Sequence, residues 1–217
     1  MWIVKSIEWS QGFDLGHYGI FPRTMKGSIG IITAPLIHGD IFHLFSNTLP
    51  LIILGIGLFY FYHKIAIEVV FWIYLASGFW VWIIGRDAYH IGASGLLYGI
   101  LAFLFFGGLL RKNPRSLAIS MVVFFMYGSM IYGLFPGDEN VSWESHLMGT
   151  LAGAFCAFYF RKYPIHTGKG QKILDWDDDE IHVGEESPIS HTAESGTELL
   201  YQVKPRDKRS DKYNSDT

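Results

Sequence analysis

The sequence predicts an all-α, polytopic membrane protein, and three observations carry that reading. Five apolar blocks, at about 41–62, 66–85, 94–110, 116–135 and 143–160, approach the length needed to cross a bilayer. A hydrocarbon core about 30 Å thick takes roughly 20 apolar residues in a helix. Each block ends in charge or turn chemistry: "HK" at 63–64, "GRDAYH" at 85–90, "RKNPR" at 111–115, "PGDEN" at 136–140 and "RKYP" at 161–164. Charge is also segregated. Residues 1–163 hold 10 Lys/Arg and 8 Asp/Glu, nearly all between the apolar blocks.

From Pro164 to Thr217 the composition changes to 7 basic and 12 acidic residues with few large apolar ones. Such a segment cannot bury enough apolar surface to fold alone. The chain therefore divides into a membrane domain, 1–163, and a polar tail, 164–217, expected to be disordered. The formal charge of -3 over 217 residues says little about partners, because the tail outweighs the rest. The single cysteine, Cys156, lies in an apolar run, so neither an intrachain disulfide nor thiol chemistry is indicated. The opening "MWIVKSIEW" is too short and too charged for a cleavable signal peptide. Between it and the first full block, Gln11 to Asp40 is mixed and rich in Gly and Pro. It reads as a loop in or on the membrane surface.

Orientation follows from where the positive charges fall. The connections at 63–64 and 111–115 and the end at 161–162 carry Lys and Arg, whereas 136–145 carries Asp138, Glu139 and Glu144. The basic ends are expected in the cytoplasm, with the tail. The blocks at 41–62, 94–110 and 143–160 then all begin at the outer face.

Polar groups inside membrane segments are costly and mark function by default. At the heads of those three blocks stand His43 and Asn47 in "HLFSN", Ser94 and Tyr98 in "SGLLY", and His146 in "SHLMG". His43 and Asn47 are four apart and share a helical face. All five belong at one depth, about a turn below the outer surface. The chemistry that fits is acyl transfer. A serine hydroxyl becomes a nucleophile when a neutral histidine accepts its proton. Asn, His and the free N–H groups at a helix start can then stabilise an oxyanion. No Asp or Glu shares these faces. Glu144 lies two residues before His146 and points away, so a Ser–His dyad with Tyr98 supporting the imidazole is the economical arrangement. Gly149 and Gly153 form a G-x-x-x-G pair on the His146 block, and Gly95 and Gly99 form another after Ser94. Such pairs bring two membrane helices close. The other histidines, His38 and His90 among them, read as loop, interfacial or solvated residues.

Other chemistries lack their signatures. There is no H-E-x-x-H, no aspartate pair within the blocks and no long Gly-rich phosphate loop. No metal, cofactor or nucleic-acid partner is expected. Each feature alone has an ordinary explanation in capping, packing or interhelical hydrogen bonding; their conjunction on alternate blocks does not.

Taken together, "HGDIFHLFSN", "GASGLLY" and "HLMGTLAG" resemble the three signatures of the rhomboid intramembrane serine proteases, in the family's order. The resemblance covers about residues 14–160. It implies a six-helix bundle with a membrane-associated first loop and an active site open to water from the outer side of a cell membrane. The first of the six helices is here reduced to the stub "MWIVKSIEW", as though cut short. By the family pattern Ser94 is the nucleophile and His146 the base. His43, Asn47 and the Ser94 N–H form the oxyanion hole, Gly92 lines it, and Tyr98 packs on His146. The implied substrates are single-pass membrane proteins cut in or near their transmembrane segment. The second reading is an inactive rhomboid-like protein that binds transmembrane clients; a transporter would leave the Ser/His/Asn/Tyr coincidence unexplained.

Overall fold

The computed structural model describes residues 1–111, 114–137, 141–163 and 165. The expected disordered tail, 164–217, lies outside the described residues apart from Ile165. The chain runs through α1 (Trp2–Gln11), α2 (Gly30–Thr33), α3 (Ile41–Phe61), α4 (Ala66–Ile84), α5 (Ser94–Leu110), α6 (Pro114–Tyr127) and α7 (Trp143–Tyr159). Six of these have ten or more residues, and α2 is a single turn in the first loop. Among the described residues there is no β-strand, only an isolated bridge between Ile20 and His90.

Among the described residues three segments are long and apolar enough to cross a membrane: Ile41–Phe61, Ala66–Ile84 and Pro114–Leu134. The two helices that carry Ser94 and His146, α5 and α7, are shorter at 17 residues each. A helix of that length spans about 25 Å. α1, with ten residues, spans about 15 Å and closes on Gly12 in the left-handed conformation. The outer faces of the bundle are apolar. Phe42, Ile56, Phe71, Trp72, Phe125 and Phe155 all point away from the protein. Side chains of this size at this density belong against lipid rather than water.

The centre of the bundle is α5, most of whose residues are buried, from Ser94 and Gly95 through Phe103 to Gly108, with Phe106 reaching the surface. A helix apolar on every side must sit inside others. Leu97, Ile100, Phe103 and Leu104 pack into one core with Leu54 and Leu58 of α3, Val69 and Ile73 of α4, Ile119 and Val123 of α6, and Cys156 and Ala157 of α7. Four glycines set the approach of α5 and α7. A methyl built at Gly149 would overlap the Gly95 carbonyl, and one at Gly153 would overlap the Gly99 carbonyl. The two G-x-x-x-G pairs therefore face each other in backbone-to-backbone contact, as their spacing implied. At the other end of the helices Arg111 closes three carbonyl groups, donating to Gly107 at 2.8 Å, Phe160 at 2.7 Å and Tyr163 at 3.2 Å. Its guanidinium also lies over the Tyr62 ring, 4.7 Å from the centroid. A cation at the C-terminal ends of two helices complements both dipoles.

Two elements differ from the sequence reading. The block at 116–135 is an α-helix only to Tyr127, after which Gly128–Leu134 winds more tightly as a 3-10 helix. Gly128 and Gly133 lower α-helical propensity there, and the tighter turn swings the Gly133 carbonyl inward. The first loop is more ordered than its composition implied. It leans on α4 through Trp82 Nε1–H to the Thr24 carbonyl at 2.9 Å, the Tyr74 hydroxyl to the Ile32 carbonyl, and Ile31 lodged against Gly78. Ile29, Ile32 and Met25 project outward from it, as in a loop that rests in the membrane surface.

Gly149→Ala and Gly153→Ala are each expected to destabilise the bundle by about 1–3 kcal/mol, the usual effect of forcing extra atoms into close packing. Gly55→Ala, where nothing lies within 4 Å of the added methyl, should be neutral or mildly stabilising. Thermal midpoints in one detergent check the contrast; equal midpoints for the three variants would contradict it.

Candidate active site

The helix starts supply the site. Asp40 caps α3 by accepting the His43 N–H at 2.9 Å, which fixes the first turn and aims His43 inward. That hydrogen bond holds the Asp40 carboxyl below the usual carboxylate range. One turn on, Asn47 Nδ2–H donates to the His43 carbonyl at 2.8 Å, while its Oδ1 is buried with no hydrogen-bond partner among the described residues. Ser94 is the first residue of α5, after Ala93, and no side chain caps that end. Its hydroxyl makes no hydrogen bond among the described residues. Ser142 caps α7 by accepting the Ser145 N–H at 3.3 Å, and His146 follows in the first turn.

His43, Asn47, Ser94, Tyr98 and His146 line one open cavity of about 1090 Å³, with walls from α3, the 86–91 loop, α5, the end of α6 and the start of α7. Gly92 lies just behind it with φ at +102°, a conformation that L side chains rarely adopt. A methyl there would sit 2.7 Å from His43 Nε2. Glycine is thus required both by the backbone and by the space that His43 occupies. All six site residues named from sequence come together, although no hydrogen bond joins Ser94 to His146 among the described residues.

His146 is held on two sides. Its ring lies parallel to that of Tyr98, with centroids 4.1 Å apart and planes 6° apart. The Tyr98 hydroxyl donates to the Met130 carbonyl at 2.9 Å, so the supporting ring is itself anchored. His146 Nδ1–H donates to the Gly133 carbonyl at 2.9 Å. In the neutral imidazole that bond places the lone pair on Nε2, the nitrogen a general base needs. Glu144 takes no part: it is buried and paired with Arg86, Nε to Oε1 at 3.7 Å.

Three residues of the site region were not assigned to it from sequence. The Gly133 carbonyl is invisible there, because a backbone acceptor has no side-chain signature. His90, assigned to a loop, is on a loop but only 2% exposed, with both ring nitrogens hydrogen-bonded. Burial lowers its affinity for a proton. His38, five residues before His43 and edge-on to it at 5.0 Å, is also 2% exposed, and neither ring nitrogen makes a well-formed hydrogen bond among the described residues. Burial first, and then His43 nearby, push its pKa down to about 4. No cluster of three or more metal-ligating side chains occurs among the described residues.

The Rhomboid domain family matches residues 26–163. The chain belongs to the rhomboid family. This rhomboid is 37% identical over 172 residues to uncharacterized proteins of Mycobacterium tuberculosis and Mycobacterium bovis, covering 73% of this chain and 70% of theirs. An uncharacterized protein of Mycobacterium leprae is 33% identical over 171 residues, covering 73% of this chain and 66% of its own. No solved structure matches the chain. The all-α, polytopic membrane fold of the rhomboids is thereby that of this protein.

A pH dependence of stability follows from His38. Above its ordinary pKa of 6.5 the ring is neutral whether buried or released, and it has no effect. As the pH falls from 6.5 towards about 4, only the released ring takes a proton, so the folded state loses up to about 3 kcal/mol relative to the opened one. His38→Leu should flatten this decline in thermal midpoint between pH 7 and pH 4.5. An equally steep decline in both proteins would show that His38 is not the group responsible.

Proposed function

We propose that this rhomboid is an intramembrane serine endopeptidase that cleaves single-pass membrane proteins in or near their transmembrane segment. The observation that carries the reading is the state of His146. The Gly133 carbonyl fixes its tautomer and the Tyr98 ring fixes its plane, in the same cavity as an unpaired Ser94 hydroxyl. Residues 1–163 are the protease domain, in a cell membrane. Its active site opens to the outer side, and residues 164–217 extend into the cytoplasm.

In this mechanism His146 Nε2 takes the proton of the Ser94 hydroxyl as Oγ attacks the scissile carbonyl. The Ser94 N–H, the second N–H of the Asn47 amide and the His43 imidazole stabilise the oxyanion, each donating where negative charge develops. The tetrahedral intermediate collapses as His146 returns the proton to the leaving amine nitrogen. Water from the open cavity then repeats the sequence on the acyl-serine, which releases the new carboxyl end and regenerates Ser94. Gly92 leaves room for the carbonyl oxygen beside His43.

Ser94→Ala and His146→Ala are each expected to reduce cleavage of a single-pass substrate in proteoliposomes by at least about 10³-fold, the usual scale for losing a nucleophile or its base. A fluorophosphonate probe should label the natural protein at Ser94. A folded natural protein that neither cleaves nor takes the label would reject the protease, and binding of transmembrane clients without cleavage would take its place.

Gly92→Ala should leave the bundle folded and lower kcat at least about tenfold with KM little changed, because His43 is displaced from an interaction made only in the transition state. Wild-type kcat in that variant would remove His43 from the oxyanion hole.

A further inference from the structure

His90 lies four residues before Ser94, and Ser142 lies four residues before His146. Their side chains meet: His90 Nδ1 and Ser142 Oγ are 2.6 Å apart. The contact ties together the last turns of chain leading into the two helices that carry the dyad. His90 is held on every side. Its Nε2 is 3.1 Å from the Arg86 carbonyl, and its backbone exchanges two hydrogen bonds with Ile20 of the first loop, at 2.8 and 2.9 Å.

The proton positions in this network follow from its acceptors. The Arg86 carbonyl can only accept, so His90 Nε2 carries the hydrogen and Nδ1 of the neutral ring is bare. Ser142 must then donate its hydroxyl proton to Nδ1. With that proton committed, Ser142 Oγ accepts from both the Ser145 hydroxyl, at 2.7 Å, and the Ser145 N–H, at 3.3 Å. The result is a directed chain from Ser145 through Ser142 and His90 to the Arg86 carbonyl. Arg86 reinforces it, donating from Nη2 to the Val141 carbonyl at 3.1 Å and facing Glu144. Both nitrogens of His90 are occupied and the ring is buried, so it has no free site with which to act on a substrate.

We propose that the His90–Ser142 hydrogen bond is a positioning latch that holds the Ser94 and His146 ends of α5 and α7 in register for proton transfer. The glycine contacts fix how closely the two helices lie along their length. They set Gly95, next to Ser94, against Gly149 and the Ser145 carbonyl, and the latch adds a side-chain tie between the loops that enter the two helices, four residues before each reacting group. His90 and Ser142 act through Ser94 and His146, and so the inference rests on the protease reading. A misplacement of about 1 Å between reacting groups is enough to cost on the order of 10²-fold in rate.

The test breaks the bond from each side. Ser142→Gly removes the hydroxyl but keeps a tolerated helix cap, and His90→Phe keeps the ring volume without its nitrogens. Both should lower kcat for a single-pass substrate by about 10- to 100-fold, with KM and thermal midpoint little changed. Fluorophosphonate labelling of Ser94 should slow by the same factor. The double variant should be close to the worse of the two single ones, because the His90–Ser142 bond is already lost in each. Ser142→Thr, which retains the hydroxyl, should restore most of kcat. Unchanged kcat in folded Ser142→Gly and His90→Phe, or losses that multiply in the double variant, would overturn the latch while leaving the dyad standing. If either single variant does not fold, the other and Ser142→Thr decide the matter by the same comparison. A natural protein that neither cleaves nor labels would overturn both readings together.

Discussion

The contact between the backbones of α5 and α7 is the constraint on which the rest of this molecule depends. Gly149 lies on the Gly95 carbonyl and Gly153 on the Gly99 carbonyl, so no side chain separates the helices. In lipid, apolar side chains gain little by leaving the bilayer for one another, and close van der Waals contact between backbones is a main source of association. The same contact has a chemical consequence. It brings the first turn of α5, with Ser94, beside the first turn of α7, with His146, inside a bundle whose outer surface is apolar. The other helices are arranged around this pair: α4 closes one side through Ile73 against Gly99, and α6 closes another through Ser120 and Ser116 against Gly108. Small residues are thus used at the closest approaches of α5 to its neighbours, while Leu97, Ile100, Phe103 and Leu104 fill the core between them.

Much of this was legible in the sequence, and for a physical reason. Intramembrane polar residues are costly enough that their presence, depth and helical phase carry information. Position along the apolar blocks was therefore sufficient to group His43, Asn47, Ser94, Tyr98 and His146. The glycine pairs were legible in the same way, since their spacing has few uses other than close packing. Three features were not legible. The change from α to 3-10 geometry after Tyr127 depends on what the chain packs against as well as on Gly128. The Gly133 carbonyl that orients His146 belongs to the backbone and is signalled by no residue type. His90 and His38 are in connections, where hydrophobic periodicity says nothing about burial, and only the folding of the first loop over α4 and α5 shows that both are enclosed.

These hidden features solve one problem together. The proposed hydrolytic site needs polar groups and water at a depth where unsatisfied polar groups are expensive. The protein meets this need by placing its hydrogen-bonding groups at helix starts, where free N–H groups already exist, and by leaving the cavity open on that side. Networks then extend outward from the cavity wall: Asp40 to the first turn of α3, Tyr98 to Met130, and His90 through Ser142 to Ser145. Each uses neutral groups or a carboxylate at the aqueous edge. The buried carboxylate of Glu144, beside these networks, is placed against Arg86.

The use of a backbone carbonyl beside His146 fits the same constraint. A carboxylate as a third member at that position would orient the imidazole and stabilise its protonated form more strongly, but an ionised group there must be desolvated before any substrate arrives. The Gly133 carbonyl selects the same tautomer with a dipole instead of a charge, and the parallel Tyr98 ring supplies the orientation that a carboxylate would otherwise share. The weaker stabilisation of the imidazolium shifts the burden to geometry. With less electrostatic help for the proton once transferred, the distance between Ser94 and His146 matters more, and the outer ends of α5 and α7 must be held rather than left to fluctuate. The proposed dyad, lacking an acid, therefore asks more of its scaffold than a triad would, and in this bundle the glycine contacts of α5 and α7 and the loop contacts at their outer ends meet that demand.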